Sequence, residues 1–190
     1  MDFTRLDDQI EHTLLKARRL FFSAGVGNAS ATDAIRKLWY MESIGPGEPI
    51  TMIINSPGGS VDDGFAIWDQ VNMITSPVCT IVTGMAASMG SILALCAPKG
   101  KRYSTPNARF MIHQPSMHGG VTGPATDIAI HAEEIVKMRE RLIDLYAECT
   151  GKERKTIAKA LDRDTWLSPT EALDFGLIDK VVETFADVTP

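Results

Sequence analysis

Between Arg19 and Ile112 the chain alternates strand-length apolar runs with helix-length amphipathic ones, and this limits the possible folds more than any other feature. Arg19-Leu20-Phe21-Phe22, Ile50-Thr51-Met52-Ile53-Ile54, Val78 to Thr83 and Arg109-Phe110-Met111-Ile112 read as short buried strands. Between them, Ala34, Ile35, Leu38, Trp39 and Met41 recur at helical spacing, with Ser30 or Thr32 as the cap and Gly45-Pro46-Gly47 as the end. Val61 to Ile74 and Ser88 to Leu95 carry two more helical patterns. Such alternation produces parallel strands joined by right-handed helical crossovers, so the expected class is α/β.

A short helix from Ile10 to Ala17 precedes this region. Short helices at Ile157 to Leu161 and Pro169 to Phe175, and a last strand at Leu177 to Val182, follow it. At 190 residues without an internal repeat or a low-complexity tract, the expectation is one domain spanning residues 1–190. Apolar residues at 44% and charged residues at 23% are those of an ordinary globular chain. The net charge of -5, without a dense Lys/Arg run, argues against a nucleic-acid partner. The apolar stretch around Ser88 is interrupted by Ser91, Cys96 and Pro98, too often to span a bilayer. Met1 to Asp8 has no basic-then-apolar signal pattern. Cys79, Cys96 and Cys149 are irregularly spaced, which speaks against a disulfide framework or a zinc site. Together these features point to a cytoplasmic protein without a metal.

One helix is too long for the domain. Ala125 to Thr150 carries an apolar stripe of Ile128, Ile135, Met138, Leu142 and Leu145. Its 26 residues at 1.5 Å each extend roughly 39 Å, more than a compact domain of this size needs. The expectation is that it projects and meets a partner.

The chemistry concentrates at Gly84-Met85-Ala86-Ala87-Ser88-Met89-Gly90, read as a strand end, a tight turn and a helix start with one hydroxyl at the turn. A serine there projects from the backbone, and the helix N-terminus beside it favours developing negative charge. The alternative is a structural serine that caps the helix or permits close packing. A nucleophilic serine needs a base and an orienting partner. Of the four histidines, His12, His118 and His131 lie on a polar helix, in a glycine-rich loop and on the long helix. His113 ends an apolar strand, where sites in α/β sheets assemble. Asp162, Asp164, Asp62, Asp63 and Glu171 are all available as the carboxylate, and spacing does not choose among them. The Pro57-Gly58-Gly59 turn and the amide after Ser88 are candidate oxyanion donors. No Gly-Lys-Ser/Thr follows the glycines, so a phosphate loop is excluded.

In this order, Asn55-Ser56-Pro57-Gly58-Gly59, Gly84 to Gly90 and Met111-Ile112-His113-Gln114-Pro115 resemble the Clp protease proteolytic subunit family, and the resemblance runs from about Ile10 to Val182. It implies Ser88 as nucleophile, His113 as general base, and Asp164 as the third member through Asp162-Arg163-Asp164. It also implies Gly59 and Met89 as oxyanion amides. The implied fold is a Clp/crotonase-type head of repeated β-β-α units, with residues 116–150 as a handle ending in the long helix. That helix would interdigitate two stacked seven-membered rings, with Asp162 and Arg163 in the ring–ring contact. The segment holding Gly119, Gly120, Val121, Thr122 and Gly123 would bind the substrate peptide. An AAA+ unfoldase ATPase would feed unfolded proteins to the chamber and consume the ATP, so this chain would need no cofactor.

Three features depart from the family pattern. The segment before the first helix (residues 1–9) is short and puts pore gating by this subunit in question. Positions matching the ATPase-docking pocket are Thr51, Ile53, Met73, Ile81, Thr83, Tyr103, Thr105 and Val182, and the three threonines make it less apolar than usual. The expectation is weak docking alone and cooperation with a paralogous ring. The loop from Ser116 to Pro124 is longer than usual, which implies an altered substrate preference. Two competing functions are a ring subunit that only scaffolds an active partner, and a crotonase-type acyl-CoA enzyme. A complete set of triad positions favours neither.

Overall fold

The computed structural model describes residues 6–116 and 122–189. Among them, seven strands form one mixed sheet: β1 (Arg19–Phe22), β2 (Ile50–Ser56), β3 (Val78–Ala87), β4 (Arg102–Ser104), β5 (Arg109–Ile112), β6 (Thr165–Leu167) and β7 (Lys180–Val181). The helices are α1 (Leu6–Lys16), α2 (Asn28–Ile44), α3 (Val61–Met73), α4 (Met89–Leu95), α5 (Ala125–Thr150), α6 (Arg154–Leu161) and α7 (Pro169–Phe175). A 3₁₀ turn at Phe185–Asp187 follows. The expected α/β class and parallel pairing hold. The order β1-β2-β3-β4-β7 is parallel throughout, and only β6 runs antiparallel, against β5.

Strand alternation divides the apolar residues between two faces. Ile50, Met52 and Ile54 of β2 and Val78 and Val82 of β3 join the main core with Leu38, Met41, Phe65, Ile67, Ile92, Leu93 and Tyr146 from the helices. The opposite face carries Cys79, Ile81 and Tyr103, and Val182 and Val188 of the C-terminal segment cover it.

β3 is the strand on which the sheet turns. Its first half pairs with β4 through Thr80, Ile81 and Val82, and its second half leaves β4 for β5 through Met85, Ala86 and Ala87. The change occurs at Gly84, whose φ of 77° introduces a bulge against β2. The Asn55 side chain packs close to the Gly84 Cα, where a Cβ would lie 2.9 Å from its Oδ1. Gly84 to Ala87 is therefore bulged strand rather than tight turn, and the turn proper is Ser88 alone. The glycine kinks the ladder without ending it.

Three other expectations shift. The first helix spans Leu6–Lys16 rather than Ile10 to Ala17, so residues 6–9 belong to it and not to the segment before it. The final strand shrinks to Lys180–Val181, because Leu177 and Ile178 join the helical core. Asp179 then turns its carboxylate to accept from the N–H groups of Gly100 and Arg102. The helix after β1 starts at Asn28 rather than being capped by Ser30 or Thr32. The Ser30 hydroxyl, inside its first turn, accepts from Gly27 N–H. In α5 the expected stripe is buried only at its base, through Leu142, with Ile143 and Tyr146 beside it. Ile128 is exposed, as are Ile130 and Val136, so the first half of the helix has no core of its own.

Candidate active site

Ser88, Gly59 and His113 meet because β2, β3 and β5 are neighbours and end on the same side. Ala87 pairs with Met111, and Ser88 N–H then donates to Met111 O at 2.8 Å. Ser88 and His113 thereby leave adjacent strand ends side by side, with Ser88 Oγ and His113 Nε2 2.8 Å apart. Ser88 is one of two non-glycine residues with positive φ among the described residues, at φ 52° and ψ -123°. A side chain held in such backbone costs about 1–3 kcal/mol, supplied by the packing around it. The result is a hydroxyl standing clear of the helix start.

Five carboxylates were candidates for the partner of His113, and geometry selects one. Asp164 Oδ1 lies 3.2 Å from His113 Nδ1. Asp62 and Asp63 belong to the first turn of α3. Glu171 closes a capping box with Ser168, whose N–H and hydroxyl hold its carboxyl below the usual range. Asp162 offers its backbone oxygen to Gln114 Nε2, while its side chain lies beside Arg163.

The device that delivers Asp164 is the antiparallel pair β5–β6, which sequence reasoning missed. Ile112 faces Thr165, so the next residues outward are His113 and Asp164. Gln114, also missed, pins the same junction by donating from its backbone N–H to Leu161 O at 2.6 Å and from Nε2 to Asp162 O at 2.9 Å. The available signal was Thr165-Trp166-Leu167, a β-branched and aromatic triplet directly before a capping box.

The glycine turn closes on the serine from the other side. A Cβ on Gly58 would lie 2.6 Å from Ala87 O, 2.7 Å from Ser88 Cβ and 2.9 Å from Met89 N, so only glycine permits this approach. Gly58 has φ 89° and Gly59 φ 146°. The turn is tied down by Gly58 O accepting from Val26 N–H and by Ser56 Oγ accepting from Gly58 N–H. Among the hydrogen bonds of the described residues, the N–H groups of Gly59 and Met89 donate to no protein acceptor. Gly59 lines the same cleft as Ser88, and Met89 is the next residue after Ser88 in the chain. Pro57, Gly58, Gly59, Val61, Ser88, Met111, His113, Pro115 and Ser116 line a cleft of about 340 Å³.

Thr122 and Gly123 lie just before α5, and Gly119, Gly120 and Val121, with His118, lie outside the described residues. His12 and His131 lie on α1 and α5 and do not join the cleft. Cys79 and Cys96 are buried, and burial pushes the Cys96 thiol up to about 12. No group of three or more His, Cys, Asp or Glu among the described residues is arranged to hold a metal ion. No helix among them is long and apolar enough to cross a membrane.

On the outer sheet face, Ile53, Ile81, Thr83, Thr105 and Val182 line a separate apolar pocket of about 200 Å³, completed by Phe185 and Val188. Two of its expected threonines have partners within the chain. Thr51 Oγ1 accepts from Cys79 Sγ, and Thr105 Oγ1 donates to Val82 O. Tyr103 is buried behind the pocket, its hydroxyl bonded to Thr189. Met73 is exposed at the end of α3, apart from these residues within the single chain.

Comparison with known proteins gives the family. The sequence model of the Clp protease family matches residues 4–185. The ATP-dependent Clp protease proteolytic subunit 1 of Chlamydia abortus is 58% identical over 184 residues, covering 97% of this chain and 96% of the relative. Its namesake from Chlamydia trachomatis serovar D is 58% identical over the same shares of both chains. The one from Protochlamydia amoebophila is 56% identical over 185 residues, covering 97% and 90%. By its fold, its family match over residues 4–185 and these relatives, the chain belongs to the Clp protease family.

Proposed function

We propose that this chain is a serine endopeptidase that cleaves unfolded polypeptides. The observation that carries the proposal is the line from Ser88 Oγ to His113 Nε2 to Asp164 Oδ1, with spans of 2.8 and 3.2 Å. Ser88 Oγ attacks the peptide carbonyl carbon while His113 Nε2 takes its proton. Asp164 accepts from Nδ1–H, which fixes the tautomer and stabilises the imidazolium. The carbonyl oxygen becomes an oxyanion held by the Gly59 and Met89 N–H groups. The carbon–nitrogen bond then breaks, and His113 gives its proton to the leaving amine. Water, deprotonated by His113, attacks the acyl ester; the carbon–Oγ bond breaks, His113 returns the proton to Ser88 Oγ, and the new carboxyl terminus leaves. Every proton and electron pair is accounted for by these residues, so the reaction calls for no metal or organic cofactor.

The substrate strand would lie along residues 119–123, and the chamber would be made by two stacked seven-membered rings joined through α5, Asp162 and Arg163. The pocket at Ile53, Ile81 and Val182, backed by the buried Tyr103 and with Met73 reached across a neighbouring subunit, would receive an AAA+ ATPase that spends the ATP. Its small size and threonine rim favour weak docking and a mixed assembly with a paralogous ring. The cytoplasm is the expected compartment.

Steady-state hydrolysis of a short fluorogenic peptide by the assembled protein tests the central point. Ser88→Ala is expected to lower kcat by at least about 10⁴-fold with assembly unchanged. Undiminished hydrolysis by an assembled Ser88→Ala protein would overturn the proposal and put the activity on another residue, whereas no hydrolysis by the assembled wild type would leave the scaffolding role in its place.

A further inference from the structure

A chain of buried hydroxyls leads from the base of the long helix to the backbone of the nucleophile. Ser88 O accepts from the N–H of Ser91 at 3.0 Å and from its Oγ at 2.6 Å. Ser91 Oγ also lies 2.6 Å from the Tyr146 hydroxyl. Ser91 and Tyr146 are each 1% exposed, so water does not substitute for either partner. A serine hydroxyl carries one proton, and Ser91 commits it to Ser88 O. Tyr146 is therefore the donor to Ser91, and the relay runs in one direction, from phenol to serine to carbonyl.

Ser88 O and Met89 N–H belong to the same planar trans peptide and point in opposite directions. Whatever fixes the carbonyl on one side aims the N–H on the other. We propose that Tyr146 and Ser91 are positioning residues that aim and polarise the Met89 N–H as an oxyanion donor. This rests on the peptidase proposal for Ser88. Hydrogen bonds in series polarise one another, so a carbonyl that accepts two bonds makes its own N–H a stronger donor. The other side of the serine is already fixed, since Ser88 N–H donates to Met111 O. The relay supplies the missing half. It also places the quality of the oxyanion site under the control of α5, since Tyr146 sits on its buried base.

The test removes single hydroxyls and no packing carbon. In Tyr146→Phe and in Ser91→Ala, kcat for the fluorogenic peptide is expected to fall about tenfold, as a donor is loosened rather than lost. KM should stay within about twofold and the pH profile should keep its midpoint, because neither residue touches substrate or His113. The rate of Ser88 phosphonylation by a fluorophosphonate should fall in parallel with kcat. The double variant should be no slower than Ser91→Ala, because the phenol acts only through the Ser91 hydroxyl. Ser91→Ala supplies the same readout if Tyr146→Phe does not assemble. Unchanged kcat and phosphonylation in assembled variants, even with a lower Tm, would overturn the relay and leave a structural hydroxyl pair. Multiplying effects in the double variant would also overturn it. Full activity in Ser88→Ala would instead remove the peptidase proposal beneath it.

Discussion

At the scale of single residues, the site depends on two backbone conformations that ordinary side chains avoid. Ser88 occupies positive φ and presents its hydroxyl. Gly58 occupies φ 89° and lets the neighbouring turn touch Ser88 Cβ and Met89 N. Gly58→Ala adds a methyl that meets backbone on two sides and cannot move aside. It is expected to lower stability by about 2–4 kcal/mol in urea unfolding and to abolish labelling by a serine-directed probe. Asp164 has a different kind of exposure. Its side chain is 64% exposed while that of His113 is 21% exposed, so solvent screens the pair and its main contribution is orientation. Asp164→Asn presents an amide to Nδ1 and favours the wrong tautomer. A fall in kcat on the order of 10² or more, with little change in Tm, is the expected result of steady-state kinetics.

At the scale of elements, a buried carboxylate fastens the helical layer to the sheet. Glu42 on α2 accepts from the N–H and hydroxyl of Thr75 and of Ser76, just before β3, at 2.6 to 3.0 Å. These bonds, the Ser76 hydroxyl foremost, lower its pKa from an ordinary 4.5 to about 2. A depressed folded-state value means that the stabilisation is complete above about 4.5 and is lost as the pH falls towards about 2. In urea unfolding over that window, wild type should lose its advantage over Glu42→Gln as acid is added. A constant difference would show that the carboxylate does not titrate as described. The elements themselves were legible to different degrees. Ala125–Thr150 was readable to the residue, because a 26-residue amphipathic helix bounded by Pro124 and Gly151 has strong periodic and capping signals. The three-residue strands β4 and β6 were not, since three residues carry no periodicity and form only because a neighbouring strand edge is there to receive them. The same distinction divides the site. Ser88, His113 and the glycine turn stand at the ends of strands long enough to read. The choice of Asp164 among five carboxylates depended on the register of β6, which is a tertiary fact, and resemblance alone had supplied it.

At the scale of the whole molecule, the first half of α5 exposes three large apolar side chains. Ile128, Ile130 and Val136 face outward there, beyond the core that holds Leu142, Ile143 and Tyr146. Apolar positions in a helix with no core beneath them call for a partner, and the proposed ring–ring contact supplies one. Val136→Glu is expected to halve the assembled mass in analytical ultracentrifugation by separating two rings, with unchanged folding of each chain. Retention of full mass would place the contact elsewhere on the chain. The peptidase itself is tested most directly by treating the assembled protein with a fluorophosphonate and locating the adduct by peptide mass spectrometry. A single adduct on Ser88, formed far more slowly in His113→Ala, is the predicted result. An unlabelled Ser88 in an assembly that admits the probe, or an adduct on another residue, would contradict it.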